Sequence, residues 1–320
     1  MDSTRDTEPR RPAPFHAGEQ LAQERAGVRA QMEKVGSVVL RNYMPEQHRE
    51  FFPLLPTLFV GAEDEGGALW ASMLWGEPGF IQSPDPAALR VEALFAGGDP
   101  LAASLKSGKS LGLLGLQFET RRRNRANGIA SAVDNRGFSF ILHQSFGNCP
   151  KYIQTREQVT RAELEPGVPL SGTGPLPEAA LTLIRQADTF FIATASGAPS
   201  DGVHGIDVSH RGGRPGFVKA AAEGRLAWPD FQGNNFFNTI GNIAADGRAG
   251  LLFIDFTRGD LLHLSGRAEV DWDGDDVARV QGAKRVLRFA TARYVFRPRA
   301  LPLRWTPLEQ SPHLEATGVW

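Results

Sequence analysis

The sequence predicts a mainly β protein with a few helices, arranged as two small antiparallel β-barrels in tandem behind an N-terminal helical segment. Three observations lead there. After residue 57 most apolar stretches are short and bounded by Gly, Pro, Asp or Asn, the punctuation of strands and turns. The texture repeats. "GLLGLQFETRRRNRANG" (112–128) aligns without gaps to "GLLFIDFTRGDLLHLSG" (250–266) at an offset of 138, and "PGFI" (78–81) meets "PGFV" (215–218) at an offset of 137. Finally, 320 residues at 41% hydrophobic content are enough for two ordinary cores.

The elements follow in order. Residues 1–44 read as a charged, proline-rich tail and then a helix over 16–34, where small and apolar residues recur at helical spacing. Pro45 opens a second helical stretch that turns Phe51, Phe52 and Leu55 inward. The first barrel spans 45–158, with strands in "LFVGAED", "ALWASMLWG", "GFIQSP", "SLGLLGLQF" and "FSFILHQSF". "DPLAASLKSG" is its helical interruption, with Asp99 as N-cap and Pro100 as the first helical residue. Residues 159–176 are rich in Gly and Pro and read as a linker. The second barrel, 177–320, opens with a helix in "PEAALTLIRQA". Strands follow in "TFFIATAS", "GVHGIDVSH", "PGFVKAA", "RLAWPDF", "AGLLFIDF" and "LLHLSGRAEV". "NNFFNTIGNIAADG" is the matching helical interruption, stopped at Gly247. Duplication makes a two-fold-like contact inside one chain the natural arrangement.

Composition removes several function classes. A net charge of −1 argues against a protein that coats nucleic acid or an anionic membrane. No apolar run approaches the roughly 20 residues of a membrane span, and the charged N-terminus lacks the apolar core of a secretory signal, so a cytoplasmic protein is expected. The single cysteine, Cys149, has no partner for an internal disulfide or a Cys-based zinc site. It reads as a small buried thiol, because no Cys/His/Asp spacing supports a nucleophile. The histidines are scattered, and no pair sits two apart on a strand with a carboxylate third, so no metal site is expected.

The stretch "RPGFVKAAAEGRLAWPDFQGNN" (214–235) carries the chemistry. Arg214 and Lys219 flank a strand-like run, and "GNN" leads into a helix start. A guanidinium, an ammonium and free helix-start amides are what a phosphomonoester needs. In the neighbouring "VSHRGG", Ser209, His210 and Arg211 offer an alternative register for the same anion, and the two registers stay open here. The dense basic run "TRRRNRANG" (120–128) reads as an exposed hairpin tip in preference to a phosphate or acidic-substrate clamp.

With these motifs each half resembles the FMN-binding split barrel of the pyridoxamine 5′-phosphate oxidase-like superfamily. The resemblance rests on "DVSHRGGRPGFV", "PDFQGNN", "GLLFIDF" and "LSGRAEV" in the second half, and on "GFIQSP", "GLLGLQF", "NGIA" and "GNCPKYIQTR" in the first. It covers most of residues 50–300. It implies split barrels related by a pseudo-two-fold axis, and FMN as cofactor. It implies a phosphate grip by Arg214 and Lys219 of an Arg-x-x-x-x-Lys strand, with Phe217 between them. It places further cofactor contacts at Pro229, Asp230, Asn234 and Asn235, where asparagines stand in place of the family's Ser-Arg-Lys. It lets the C-terminal strand of one barrel, with Lys151 and Tyr152, cover the flavin of the other.

The implied activity is hydride or electron transfer between the flavin and a small molecule or NAD(P)H, with no nucleic-acid or membrane partner. Pairing of two chains in a homodimer is compatible with this. The alternative is a non-enzymatic module that carries or senses a flavin, haem or another anion. Glu77 and Gln82 stand in "EPGFIQ" where "RPGFVK" has its cations, so one flavin per chain is expected.

Overall fold

A computed structural model describes residues 13–161, 165–197 and 204–320 of the chain. His16 caps α1 (Ala17–Arg25) by accepting from the Gly18 amide, and the Glu19 carboxylate accepts from the His16 amide at 2.9 Å. This is a capping box with an imidazole in the place of a hydroxyl. Gly27, at φ 70°, ends that helix, and α2 (Arg29–Val39) starts afresh. The single helix expected over 16–34 is therefore two. α3 (Glu46–Arg49) and a 3₁₀ turn at Phe52–Leu54 bury Phe51, Phe52 and Leu55 as expected.

The first sheet contains β1 (Thr57–Glu63), β2 (Leu69–Trp75), β3 (Ile81–Asp85), β4 (Ala88–Val91), β5 (Ser110–Gln117), β6 (Arg122–Val133) and β7 (Phe138–Gly147). Its order is β2-β1-β5-β6-β7-β4-β3. The chain continues through β8 (Arg156–Arg161), β9 (Leu170–Gly172) and α4 (Glu178–Gln186). The second sheet takes β10 (Thr189–Ala195), β11 (Ile206–Gly212), β12 (Lys219–Ala220) and β13 (Arg225–Asp230). After α5 (Asn238–Ala245) it adds β14 (Arg248–Ile254) and β15 (Leu261–Asp271). α6 (Asp275–Arg279) precedes β16 (Arg285–Arg297), and β17 (Leu303–Pro307) pairs with β8. The order β11-β10-β14-β15-β16-β13-β12 repeats the first sheet strand for strand.

Every strand pairing in the two sheets is antiparallel, and neither sheet closes into a barrel. The edges that closure would remove are covered by the opposite half instead: β11 packs on β5, and β2 packs on β14. Glycine permits both approaches. A Cβ on Gly112 would lie 2.5 Å from the Ile206 carbonyl oxygen of β11, and one on Gly250 would lie 2.6 Å from the Leu69 carbonyl oxygen of β2. Between the halves Phe59 stacks on Phe191 with ring centroids 3.6 Å apart, and Met73 and Leu114 join Val208 and Leu252 in one apolar cluster.

Three expectations are corrected. "DPLAASLKSG" makes turns and no helix. Asp99 does accept from the Leu101 amide at 2.9 Å, but its other oxygen takes Ser72 at 2.5 Å and Arg297 at 2.9 Å, which pins the segment against β2 and β16. The stretch 159–176 is not a free linker, since β9 pairs with β16 and the end of β8 with β17. "PGFVKAA" supplies only the two-residue β12. Its front is a Pro-Gly turn in which the Phe217 amide donates to the Arg214 carbonyl at 2.9 Å, with Gly216 at φ 87°. Among the described residues no helix is long and apolar enough to cross a membrane.

Candidate functional site

Where β6 and the segment after β7 meet β11 and the β13–α5 loop, the two halves enclose a polar cleft of about 90 Å³. Four guanidinium groups line it, from Arg123, Arg125, Arg211 and Arg285. Alternation along β6 puts Arg123 and Arg125 on one face, and alternation along β11 does the same for Ser209 and Arg211. Arg285 arrives from β16, directly across the ladder from Asp230 of β13. A second hollow of about 70 Å³ adjoins the cleft, shares Arg123, Arg211 and Asp230 with it, and is lined further by Tyr152 and His210.

The charges are unevenly matched. Arg125 is spent on Asp207 at 3.0 Å and on the Ser209 hydroxyl. Asp207 also accepts from Asn127 at 2.5 Å and from Asn242 at 2.8 Å. Arg123 donates through Nε to the Cys149 carbonyl at 2.8 Å. Asp230 is the one carboxylate among the described residues lining either hollow, 3.7 Å from Arg211 Nε and 3.1 Å from Arg285 Nε. Around the cleft and the hollow, several buried nitrogens have no hydrogen-bond partner among the described residues: Arg125 Nε, Arg211 Nε, Arg285 Nη1, Asn148 Nδ2 and His210 Nε2. Buried polar groups are seldom left so in a native fold, and here they converge on one place.

The electrostatics agree. Burial, and then Arg211 and Arg125, pull Arg123 down to about 9. Burial lowers Arg211 too, opposed by Asp230 and reinforced by Arg125 and Arg285. Burial, followed by Arg123, Arg211 and Arg156, holds His210 well below the usual histidine range, so its ring is neutral at pH 7. These shifts express the cost of crowding like charges out of water, a cost that an anion in the cleft relieves. α5 adds to this. Its N-cap Phe237 sits at φ 64° with no side-chain cap, and Asn238 and Thr239 line the cleft.

The residues present fit a phosphate group in charge, donor number and size. A complete ligand of drug size needs roughly 300–1,000 Å³, so the cleft in this conformation takes the phosphate and not the rest of a nucleotide.

The sequence-derived candidates fall into three groups. Ser209, Arg211, Asp230, Asn234 and Asn235 line the cleft. His210, Phe217, Pro229, Lys151 and Tyr152 line the adjoining hollow, and the Tyr152 hydroxyl donates to the Gln232 carbonyl at 3.2 Å. Arg214 and Lys219 line neither. Arg214 donates to the Leu314 carbonyl from Nε at 3.3 Å and Nη2 at 3.0 Å, while Lys219 is exposed, 5.4 Å from the Trp320 ring. The Pro-Gly turn is the reason, because it breaks the strand that would have aligned them.

Two arginines of the supposed hairpin tip are in the site instead. Arg123 is half-buried and Arg125 is 3% exposed, and their period-two spacing was the available signal. Arg285 carried no local signal.

Behind the cleft lies a buried network. Glu19 accepts from Asn238 at 2.5 Å, and His16 Nε2 and Asn242 Oδ1 are 2.8 Å apart. Burial, and secondarily Asp207, push the Glu19 carboxyl up to about 8.

The corresponding place in the other half is filled by the protein itself. Ser72, at an offset of 137 from Ser209, donates to Asp99 at 2.5 Å, and Arg297 closes the position with its 2.9 Å bond to the same oxygen. His263, at an offset of 138 from Arg125, stands 4.0 Å from that carboxylate.

No protein-family model matches the sequence, and no curated protein matches it. Solved structures do. The HupZ protein of Group A Streptococcus is 16% identical, with 37% of this chain and 91% of that one covered at a TM-score of 0.29. A Clostridium acetobutylicum protein related to general stress protein 26, of the pyridoxinephosphate oxidase family, is 12% identical, with 41% and 93% covered at 0.28. A Mesorhizobium loti FAD-binding protein is 10% identical, with 41% and 99% covered at 0.27. Each match spans less than half of this chain and nearly all of the other.

Proposed function

We propose that this chain is a flavin-binding protein built from two tandem split barrels, residues 45–158 and 177–320, that face each other as a pseudo-dimer around one FMN site. The cleft between them holds the FMN phosphate. The observation that carries this is the convergence of unpartnered buried donors from Arg125, Arg211, Arg285, Asn148 and His210 on a phosphate-sized space. The repeated strand order and the reciprocal packing of β11 on β5 and of β2 on β14 support the pseudo-two-fold arrangement. The flavin itself is taken from the motif resemblance.

Arg211 and Arg285 hold the dianion, Arg123 adds charge from the other half, and the α5 amides complete the shell. Tyr152 and Phe231, whose rings lie 5.4 Å apart, close the outer side and must part to admit an isoalloxazine. Bound there, a flavin would supply hydride or electron transfer to or from a small molecule or NAD(P)H. The small volume favours a second reading, an anion-binding module for a smaller phosphorylated ligand.

Titration with FMN, riboflavin and inorganic phosphate separates the two. Arg211→Ala and Arg285→Ala should each weaken FMN about ten- to a hundredfold while leaving riboflavin unchanged, as expected for a lost charge-assisted bond. Arg214→Ala should leave both ligands alone. Selective loss of FMN in Arg214→Ala with normal binding in Arg211→Ala would move the phosphate to the other register. Tight inorganic phosphate with no FMN binding would establish the second reading.

A further inference from the structure

We infer that the chain carries a second ligand site, a groove at one end of the second sheet that binds a long-chain aliphatic carboxylate. The groove encloses about 1,140 Å³, which exceeds the usual range for a complete small-molecule site. α1 and α5 form one wall, and the ends of β12, β13, β15 and β16 form the other. It is separate from the anion cleft, with which it shares only Ile240 of α5 among the described lining residues.

The lining sets the chemistry of the occupant. The floor is apolar: Leu226, Ile240, Ile243 and Phe289 are nearly fully buried beneath it, and Val270 and Trp272 pack beside them. Alanines at 22, 227, 244 and 268 leave the space that larger side chains would fill. Leu21 of α1 faces the same groove and is 63% exposed, an apolar side chain with no protein cover. Such a surface favours an apolar chain laid along it.

The rim selects the head group. Of the three carboxylates among the described lining residues, Asp246 is held by Arg248 at 2.6 Å and Asp276 by Arg288 at 2.7 Å, while Glu269 is exposed on β15, away from the β12–β13 mouth. Lys219 has no carboxylate within ion-pair range among the described residues, and Arg225 reaches only Glu223 at 3.9 Å, both side chains being exposed. Lys219 and Arg225 stand on the adjacent strands β12 and β13, at the same mouth. A head carrying one negative charge pairs with these two cations while its chain lies over the floor. This gives a role to the lysine that the flavin reading leaves unused.

The test is calorimetric titration of the full chain with tetradecanoate and with tetradecanol, below their aggregation limits. The acid should bind once per chain, at least tenfold tighter than the alcohol. Lys219→Ala should remove most of that difference. Ala244→Trp, a substitution at an exposed position of α5, should weaken both ligands at least tenfold with the fold intact by circular dichroism. Saturating FMN should leave tetradecanoate binding unchanged. Absence of tetradecanoate binding would overturn the proposal, as would binding insensitive to both substitutions. Displacement of tetradecanoate by FMN would assign the amphiphile to the anion cleft and overturn it equally, without touching the flavin reading.

Discussion

Glu19 shows how one residue ties the N-terminal helix to the site. Its carboxyl is 3% exposed, caps α1 through the His16 amide, and accepts from Asn238 at the edge of the cleft. A folded-state value near 8 against an unfolded value of 4.5 means that the folded chain binds the extra proton. The stability so gained is full below about pH 4.5 and is lost as pH rises to about 8, by up to about 5 kcal/mol at 1.36 kcal/mol per unit. The melting temperature of the wild type should therefore fall across that window, and Glu19→Gln should flatten the fall. A Glu19→Gln profile as steep as the wild type would remove Glu19 as its cause. The same scale explains what could be read in advance. "SHRGG" gave Ser209, His210 and Arg211 because a strand end next to glycines is legible in one dimension. Arg214 and Lys219 lie outside the cleft because Pro215 and Gly216 turn aside the strand along which their spacing would align them. Arg285 reaches the site only through the pairing of β13 with β16, a contact that no local pattern encodes.

Strands were the legible elements, because alternation and turn residues are local signals. The arginines of β6 look like a solvated turn until Asp207 of the opposite half and the Cys149 carbonyl of their own half are seen as partners. The helix expected at Asp99 failed for the matching reason: the N-cap carboxylate is also drawn to Arg297, 198 residues away. One local feature recurs in both halves. The ladders β6–β7 and β15–β16 each shift register at a glycine, and a Cβ on Gly128 or Gly266 would lie 2.0 Å from the Ile141 or Ala290 carbonyl oxygen. Gly266→Ala should cost about 1–3 kcal/mol or more, seen as a lower urea midpoint at unchanged slope. Gly174→Ala, which meets nothing within 4 Å, should stay within about 0.5 kcal/mol. Equal midpoints for the two variants would refute the tight-approach argument.

The molecule as a whole depends on the contact between its halves. The cluster around Phe59 and Phe191 draws on both, as does the ion pair of Arg125 with Asp207, so neither half presents a finished surface alone. Residues 1–158 and 176–320 expressed separately should be insoluble or molten. Two monomeric fragments that unfold cooperatively would contradict this. The asymmetry between the halves matters as much as their likeness. One cleft collects cations around a phosphate-sized space, whereas its counterpart is closed by Ser72, Asp99 and Arg297. The most direct measurement is calorimetric titration of flavin-free wild-type protein with FMN and then with riboflavin. One FMN should bind per chain, with riboflavin at least tenfold weaker. Two FMN per chain, or riboflavin binding as tightly as FMN, would contradict this.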